Sequence, residues 1–346
     1  MKVLFLAAWY PTERDAMYGL FVQKHLEAVR AQGVDARVLY YESTGIHWLR
    51  DMWRGWCQLH REWGLPDVVQ MNVLDKNGLL ATYLRKRYHI PYIIVEHWSG
   101  YLPAHFSFRG GWHGRLMKRI AAHASAILPV SNRLGQAMRD CGIVNARWQK
   151  INNVVDDFFY LPYAKQPREK KRLLHVSCFD EQAKNIQGML RAVREVARQR
   201  QDFELVVVGT GVDFAEDKAY ADSLDFPEGM LTFTGELPPI EVCRWMQQSD
   251  AFVLFSRYEN APVVISESLA VGLPVISSNV GGISEMIDNR SGILVPSEDE
   301  QALSRAITYM LDHYQDYDVE YIRECGKQYS FAEVGLHFLD IYALLI

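Results

Sequence analysis

No two of the five cysteines (Cys57, Cys141, Cys178, Cys243 and Cys325) form a C-x-x-C pair, which argues against a zinc ribbon or a dithiol redox motif. They read as reduced thiols of a cytoplasmic protein. Long hydrophobic runs are missing too. The first apolar run, residues 3–10, stops at Pro11, and nothing approaches the roughly 18 residues of a membrane span. That run also lacks the small-residue cleavage site of a secretory signal. Glycine is absent between Val3 and Gly19, so the first strand cannot open the three-glycine turn of a dinucleotide fold. The only G-x-G, Gly209-Thr-Gly211, has Phe214 at the third position, and a nicotinamide dehydrogenase is therefore unsupported. No Walker A sequence occurs either. What is present is a chain of 346 residues, 49% hydrophobic and 23% charged. That balance excludes disorder and suffices for two domains of about 150 residues each.

Charge is unevenly placed. Residues 1–165 hold 21 Lys and Arg against 13 Asp and Glu, a net +8, while the rest of the chain carries −13. A basic front half on an acidic protein suggests an anionic partner for that half alone: phosphates, an acidic glycan or a membrane surface. Uneven surface decoration is the plainer alternative.

Short apolar runs rich in β-branched residues alternate with helical stretches, the pattern of parallel α/β sheets. The expected strands of the first half are residues 3–8, 36–41, 67–72, 92–96 and 126–129, with an amphipathic helix over 19–32. A charged stretch at 163–172, with Pro167 and no apolar periodicity, reads as a linker. Strands resume at 173–177, 204–209, 231–234, 251–255, 274–277 and 292–295. The expected organisation is one domain over 1–165, a second over 166–330, and a helix over 331–346 that closes the second domain or packs back on the first. Two doubly wound, Rossmann-like domains would face each other across a cleft lined by strand carboxyl ends, where such sheets bind ligands.

The densest polar pattern is residues 256–277. Glu259 sits on the loop after a strand, and Pro262 suits the first helical position, where its missing N–H costs nothing. Gly272 then ends the helix and Pro274 opens the next strand. The amides of Ala261, Val263 and Val264 would form an anion site at the helix start, with Glu267 about one turn further in. A retaining glycosidase keeps its two carboxylates about 5 Å apart. A helical rise of about 1.5 Å per residue carries Glu259 and Glu267 well beyond that, so a hydrolytic dyad is disfavoured. A capping glutamate plus a solvated one remains open at this point.

Glu259 and Glu267, followed by residues 270–277, Gly281-Gly282, Glu285 and residues 292–295, closely resemble the retaining glycosyltransferases of family 4, with the GT-B fold. Other stretches agree in order. Trp9-Tyr-Pro11 with Gly19 to Phe21 is similar to that family's first loop, and Glu96-His97 to its strand-end histidine. Val130-Ser131-Asn132 and residues 151–156 are similar to its following turns, with Val154 where glycine is common in that family. Residues 206–209 resemble a strand of its second domain, and Phe233-Thr-Gly235 the strand end that contacts the base. The resemblance implies that Glu267 binds ribose hydroxyls of a nucleotide sugar and that Glu259 binds the sugar ring. It places the diphosphate on the amides near Val263 and Val264 with Lys184 as the cation, His97 beside the transferred sugar, and Gly19 where backbone approaches donor and acceptor. The pattern departs at Ser177-Cys178, where the family usually has glycine-arginine; Arg257 is the candidate for the missing cation. Neither a metal nor a cofactor is expected.

On the acceptor side, residues 48–63 mix four tryptophans with three arginines, and residues 106–120 are basic and aromatic. Such stretches lie on anionic lipid or bury their aromatic face with arginines in water. The favoured expectation is a metal-independent retaining hexosyltransferase. It would move a sugar from a UDP- or GDP-sugar to a glycan or lipid-linked glycan in cell-surface polysaccharide assembly. It is expected to be cytoplasmic and peripheral on an anionic inner membrane face through its basic first domain, with no nucleic-acid partner. A sugar-nucleotide epimerase on the same fold and a catalytically idle nucleotide-sugar-binding protein stay open as alternatives.

Overall fold

The structure is a computed structural model that describes every residue except Ala16 and Arg109. The chain divides into two compact units, one made of Met1–Val154 together with Ser330–Ile346 and the other of Val155–Tyr329. The first unit runs β1 (Lys2–Ala7), α1 (Leu20–Ala31), β2 (Asp35–Leu39), α2 (Gly45–Trp63), β3 (Val68–Asn72), α3 (Gly78–Tyr88), β4 (Tyr92–Glu96), α4 (Gly111–His123), β5 (Ala126–Pro129) and α5 (Asn132–Asp140). Its strands pair in parallel in the order β2-β1-β3-β4-β5. Every residue of β3, β4 and β5 is buried. Helices cover both faces of a parallel sheet, so its inner strands read as continuous apolar runs.

The second unit runs β6 (Lys171–Val176), α6 (Glu181–Lys184), α7 (Ile186–Ala197), β7 (Phe203–Val208), α8 (Phe214–Ser223), β8 (Leu231–Gly235), α9 (Pro239–Gln247), β9 (Ala251–Leu254), α10 (Val263–Val271), β10 (Val275–Ser278), β11 (Gly292–Val295), α11 (Glu300–His313) and α12 (Val319–Lys327). Its parallel order is β11-β10-β9-β6-β7-β8. Successive strand residues serve opposite faces: Leu173, Leu205 and Val253 pack with α7 and α11, whereas Leu174, Val206 and Leu254 pack with α9, α10 and α12. The strand order reverses between β6 and β9. Loops leaving two such strands diverge, and the crevice between them is where doubly wound sheets take ligands.

All eleven expected strands occur, within two residues of their expected ends. The division between units does not fall at residue 165. Val155 and Phe159 are already part of the second unit's core, and Val155 N–H donates to Tyr329 O at 2.8 Å. The charged stretch expected to be a linker is folded onto this unit as well, because Lys165 and Arg168 pair with the buried Asp250 at 2.6 and 2.7 Å. The last helix, α13 (Phe331–Ala343), belongs to the first unit. Its Val334, Phe338, Ile341 and Tyr342 share a core with Val22, Leu26 and Val29 of α1 and with Val3 and Phe5 of β1. Tyr342 donates its hydroxyl to Gln70 Oε1 at 2.5 Å inside that core.

Candidate functional site

In the second unit, the loops leaving β6 and β9 bring two oppositely charged side chains together at the reversal of strand order. Lys184 Nζ lies 2.5 Å from Glu259 Oε1, with the two side chains only 16% and 10% exposed. Ser256 Oγ donates to the same oxygen at 2.8 Å, and Ser256 is itself anchored by Ser278 Oγ donating to its carbonyl at 2.6 Å. Burial works against the Lys184 charge, but Glu259 beside it prevails and holds the ammonium above its ordinary range. Gly281 seats the Glu259 loop. Its φ is +54°, and a Cβ there would fall 1.6 Å from the Glu259 carbonyl oxygen, so no other residue fits.

Lys184 ends a single helical turn. Asp180 Oδ1 accepts Ala183 N–H at 3.2 Å at the start of that turn, and Asn185 leaves it with φ +51°. Arg257 braces the turn from the loop after β9: its N–H donates to Ala183 O at 2.7 Å, and its guanidinium reaches Glu181 O, Asn185 Oδ1 (2.6 Å) and Glu298 Oε1 (3.0 Å). The sequence offered Arg257 as a replacement cation for the donor. The structure places it at Lys184's turn with its donors engaged on protein acceptors. Cys178, where the family's arginine would stand, is an exposed free thiol.

Helix α10 starts one residue later than expected, with Pro262 as its cap at ψ 122° and Val263 as the first helical residue. Ile265 N–H turns back to Pro262 O at 3.1 Å. Val263 and Val264 carry the first two amides of the helix, which have no acceptor within it. Ala261 lies on the loop just before. Glu267 is buried in the second turn of α10. Burial and then the Glu267 carboxylate push the Cys243 thiol up to about 12, and Tyr160 is raised mainly by burial, with Glu267 contributing. Glu267 thus lies within electrostatic reach of Tyr160 and Cys243. Gly235 closes β8, its carbonyl accepting Gly209 N–H at 2.9 Å.

In the first unit, Gly19 caps α1 with φ +70°, and a Cβ there would lie 2.4 Å from the Trp9 carbonyl carbon. The Trp9 ring meets Phe21 edge-on at 6.0 Å, Phe21 leans on His97 at 4.2 Å, and His25 stands 5.3 Å from His97. Burial lowers His25 to about 4. Burial, with His25 nearby, also holds His97 well below its usual range, so both rings are neutral near pH 7. Glu96, fully buried at the end of β4, is raised to about 7 by burial. Sequence reasoning passed over Ser256, Asn185 and the carboxylate of Glu96 as functional groups. Only Glu96 left a signal, as the one charged residue ending the otherwise apolar strand Tyr92–Glu96.

Among the described residues no group of three or more His, Cys, Asp and Glu is placed to hold a metal ion. The one Asp-x-Asp triplet, Asp316-Tyr317-Asp318, is spent locally. Asp316 pairs with His313 at 2.9 Å, and Asp318 Oδ1 caps α12 through Glu320 and Tyr321 N–H. In α2, Trp48, Trp56 and Trp63 are buried while Trp53 is half-exposed, so that helix turns most of its tryptophan inward. Phe106 and Trp112, before and at the start of α4, are exposed; Arg109 of that stretch lies outside the described residues. No helix among the described residues is long and apolar enough to cross a membrane.

Residues 18–157 match the sequence family Glycosyltransferase Family 4, and residues 163–328 match Glycosyl transferases group 1. The chain is 24% identical to TuaC of Bacillus subtilis strain 168, over 89% of this chain and 88% of that protein. The name of TuaC assigns it to teichuronic acid biosynthesis as a glycosyltransferase. Sucrose-phosphate synthase of Thermosynechococcus elongatus superposes with a TM-score of 0.78 at 19% identity, over 100% of this chain and 99% of that one. Anabaena Alr3699/HepE in complex with UDP-glucose gives a TM-score of 0.78 at 16% identity, over 99% and 100%.

Proposed function

This chain belongs to the group 1 glycosyltransferases of GT-B fold, and from that premise we propose that it takes a hexosyl group from a UDP- or GDP-sugar. The acceptor in this reading is a glycan or lipid-linked glycan of cell-surface polysaccharide assembly, the configuration is retained, and no metal takes part. The observation that carries it is the Lys184–Glu259 pair, 2.5 Å apart at the strand reversal of the second unit, directly before the open amides of α10. A nucleoside diphosphate draws Lys184 to its phosphates and takes N–H groups from Val263 and Val264, with Ala261 on the approach. Glu259, released from the ion pair, turns to the sugar ring. Glu267 takes the ribose and Gly235 the base. Arg257 acts by holding the Lys184 turn.

The anomeric carbon–oxygen bond breaks with its electron pair leaving on the diphosphate, where Lys184 and the amides stabilise it. The acceptor oxygen bonds to the same face of that carbon, and its proton passes to the departing phosphate oxygen. The family resemblance assigns His97 a role beside the transferred sugar, where a neutral ring adds no positive charge, and assigns Gly19 the close backbone approach to donor and acceptor. TuaC's assignment to teichuronic acid biosynthesis and the UDP-glucose complex of Alr3699/HepE support the choice of acceptor and donor. The excess of positive charge in residues 1–165, with Phe106 and Trp112 exposed, supports a peripheral seat on anionic lipid.

The test is a thermal-shift screen across UDP- and GDP-sugars, followed by transfer to polymer or lipid-linked acceptors with and without EDTA, the product anomer being read by NMR. A ligand at a hundredfold excess over its Kd should add about 2.7 kcal/mol of stability. No shift with any nucleotide sugar, inversion, or loss of transfer with EDTA would overturn the reading.

A further inference from the structure

Val73 has a left-handed backbone, φ +73°, directly after β3, where a β-branched side chain is a costly occupant. Two hydrogen bonds hold the chain in that shape. Val73 N–H donates to Val95 O at 2.7 Å, and the next amide, Leu74 N–H, donates to Glu96 Oε2 at 3.0 Å. The other oxygen of the same carboxylate accepts His97 N–H at 2.9 Å and Trp98 N–H at 2.8 Å. One buried side chain therefore ties the loop after β3 to the loop after β4.

The geometry points to Glu96 as a positioning residue for the transfer reaction, clamping these two loops so that the His97 ring is held against Phe21. This rests on the proposed place of His97 beside the transferred sugar. The carboxylate form completes the clamp because each oxygen can accept. Protonated on Oε2, Glu96 presents a hydroxyl to an amide, donor against donor, and the tie to Leu74 weakens. Burial raises its pKa to about 7 against the pull of the three amides. The groups around it are Asp75 and Lys76 on the loop after β3, Tyr101 on the turn Ser99–Tyr101, and His97 with His25 of α1 behind it. Of these only Asp75 titrates in the same range, also raised to about 7, chiefly by burial.

Glu96→Gln copies the protonated shape, since its amide can accept on one side only. Measured as kcat and KM against pH, the wild-type kcat should rise as pH passes about 7, with donor KM nearly constant. Glu96→Gln should sit roughly tenfold lower in kcat and lack that rise, the penalty of a slightly misplaced group. Hydrogen exchange should quicken in the same variant at the amide that then faces the glutamine NH2, Leu74 on one side or Trp98 on the other. Adding Val73→Gly, which adopts φ +73° without strain, should recover part of the lost kcat. A Glu96→Gln enzyme with the wild-type kcat and pH limb, or with unchanged exchange at both amides, would overturn the inference. His97→Ala separates the two claims. Normal transfer by that variant removes the role of His97, while the exchange result still reads the clamp.

Discussion

Lys184→Met removes the cation from a pair 2.5 Å apart whose partners are 16% and 10% exposed. Glu259 is then left charged in a poorly solvated place, with the Ser256 hydroxyl at 2.8 Å as its remaining hydrogen-bond donor among the described contacts. Breaking a buried pair from one side costs about 3–5 kcal/mol; with the Ser256 bond retained, about 3 is expected. For a unit of this size about 2–4 °C of Tm is lost per kcal/mol, so melting should fall by roughly 6–12 °C. The sign with pH follows from the raised Lys184 pKa. The pair's contribution is complete below the ammonium's ordinary value of 10.5 and disappears only as pH climbs through the folded value, so the deficit should be equal at about pH 6 and pH 9. Scanning calorimetry on Lys184→Met, Glu259→Gln and the double variant reads this directly. The double variant carries no stranded charge and should regain at least half the loss while transfer stays abolished. A Lys184→Met protein melting within about 2 °C of wild type, or a double variant no more stable than the single, would refute the reasoning.

Glu259→Ala should lower turnover far more than nucleotide affinity, whereas Glu267→Ala should weaken nucleotide binding; titration calorimetry beside a transfer assay checks this, and equal effects in both variants would remove the division of roles. Gly281→Ala forces a Cβ to within 1.6 Å of the Glu259 carbonyl at φ +54°, and should cost about 1–3 kcal/mol and most of the transfer activity; wild-type kinetics would show that the loop does not need this close approach. The enzyme should float with anionic vesicles at low salt and release as salt rises, with Trp112→Ala reducing the bound fraction; no binding at low salt would leave a soluble acceptor preferred.

Strand positions were legible because both faces of each parallel sheet are covered, which leaves an apolar run wherever a strand passes. The stretch 163–172 misled for the opposite reason. Its charges look solvated in sequence, but Lys165 and Arg168 close on Asp250, about eighty residues later, a contact that periodicity cannot show. The tryptophans of α2 follow helical spacing, and the structure resolves in favour of a buried face what the sequence left open. At the site, family resemblance pointed to Lys184 and Glu259 separately. Their direct pairing depends on β6 and β9 being neighbours although some 75 residues intervene. The bracing by Arg257 and the Val73–Glu96 clamp rest on backbone carbonyls, amides and dihedrals, which side-chain identity does not encode.

The return of α13 to the first unit has a consequence for biosynthesis. On the ribosome, the sheet of the first unit emerges before the second unit but cannot bury the α1 side of β1 against Phe338 and Tyr342 until the segment after Tyr329 has been made. The later, contiguous unit spanning Val155–Tyr329 has all of its own core partners sooner, so the segment translated second can reach its native state first. A nascent chain halted before α13 would therefore expose the apolar flank of α1 to chaperones and proteases, whatever the condition of the unit that follows it.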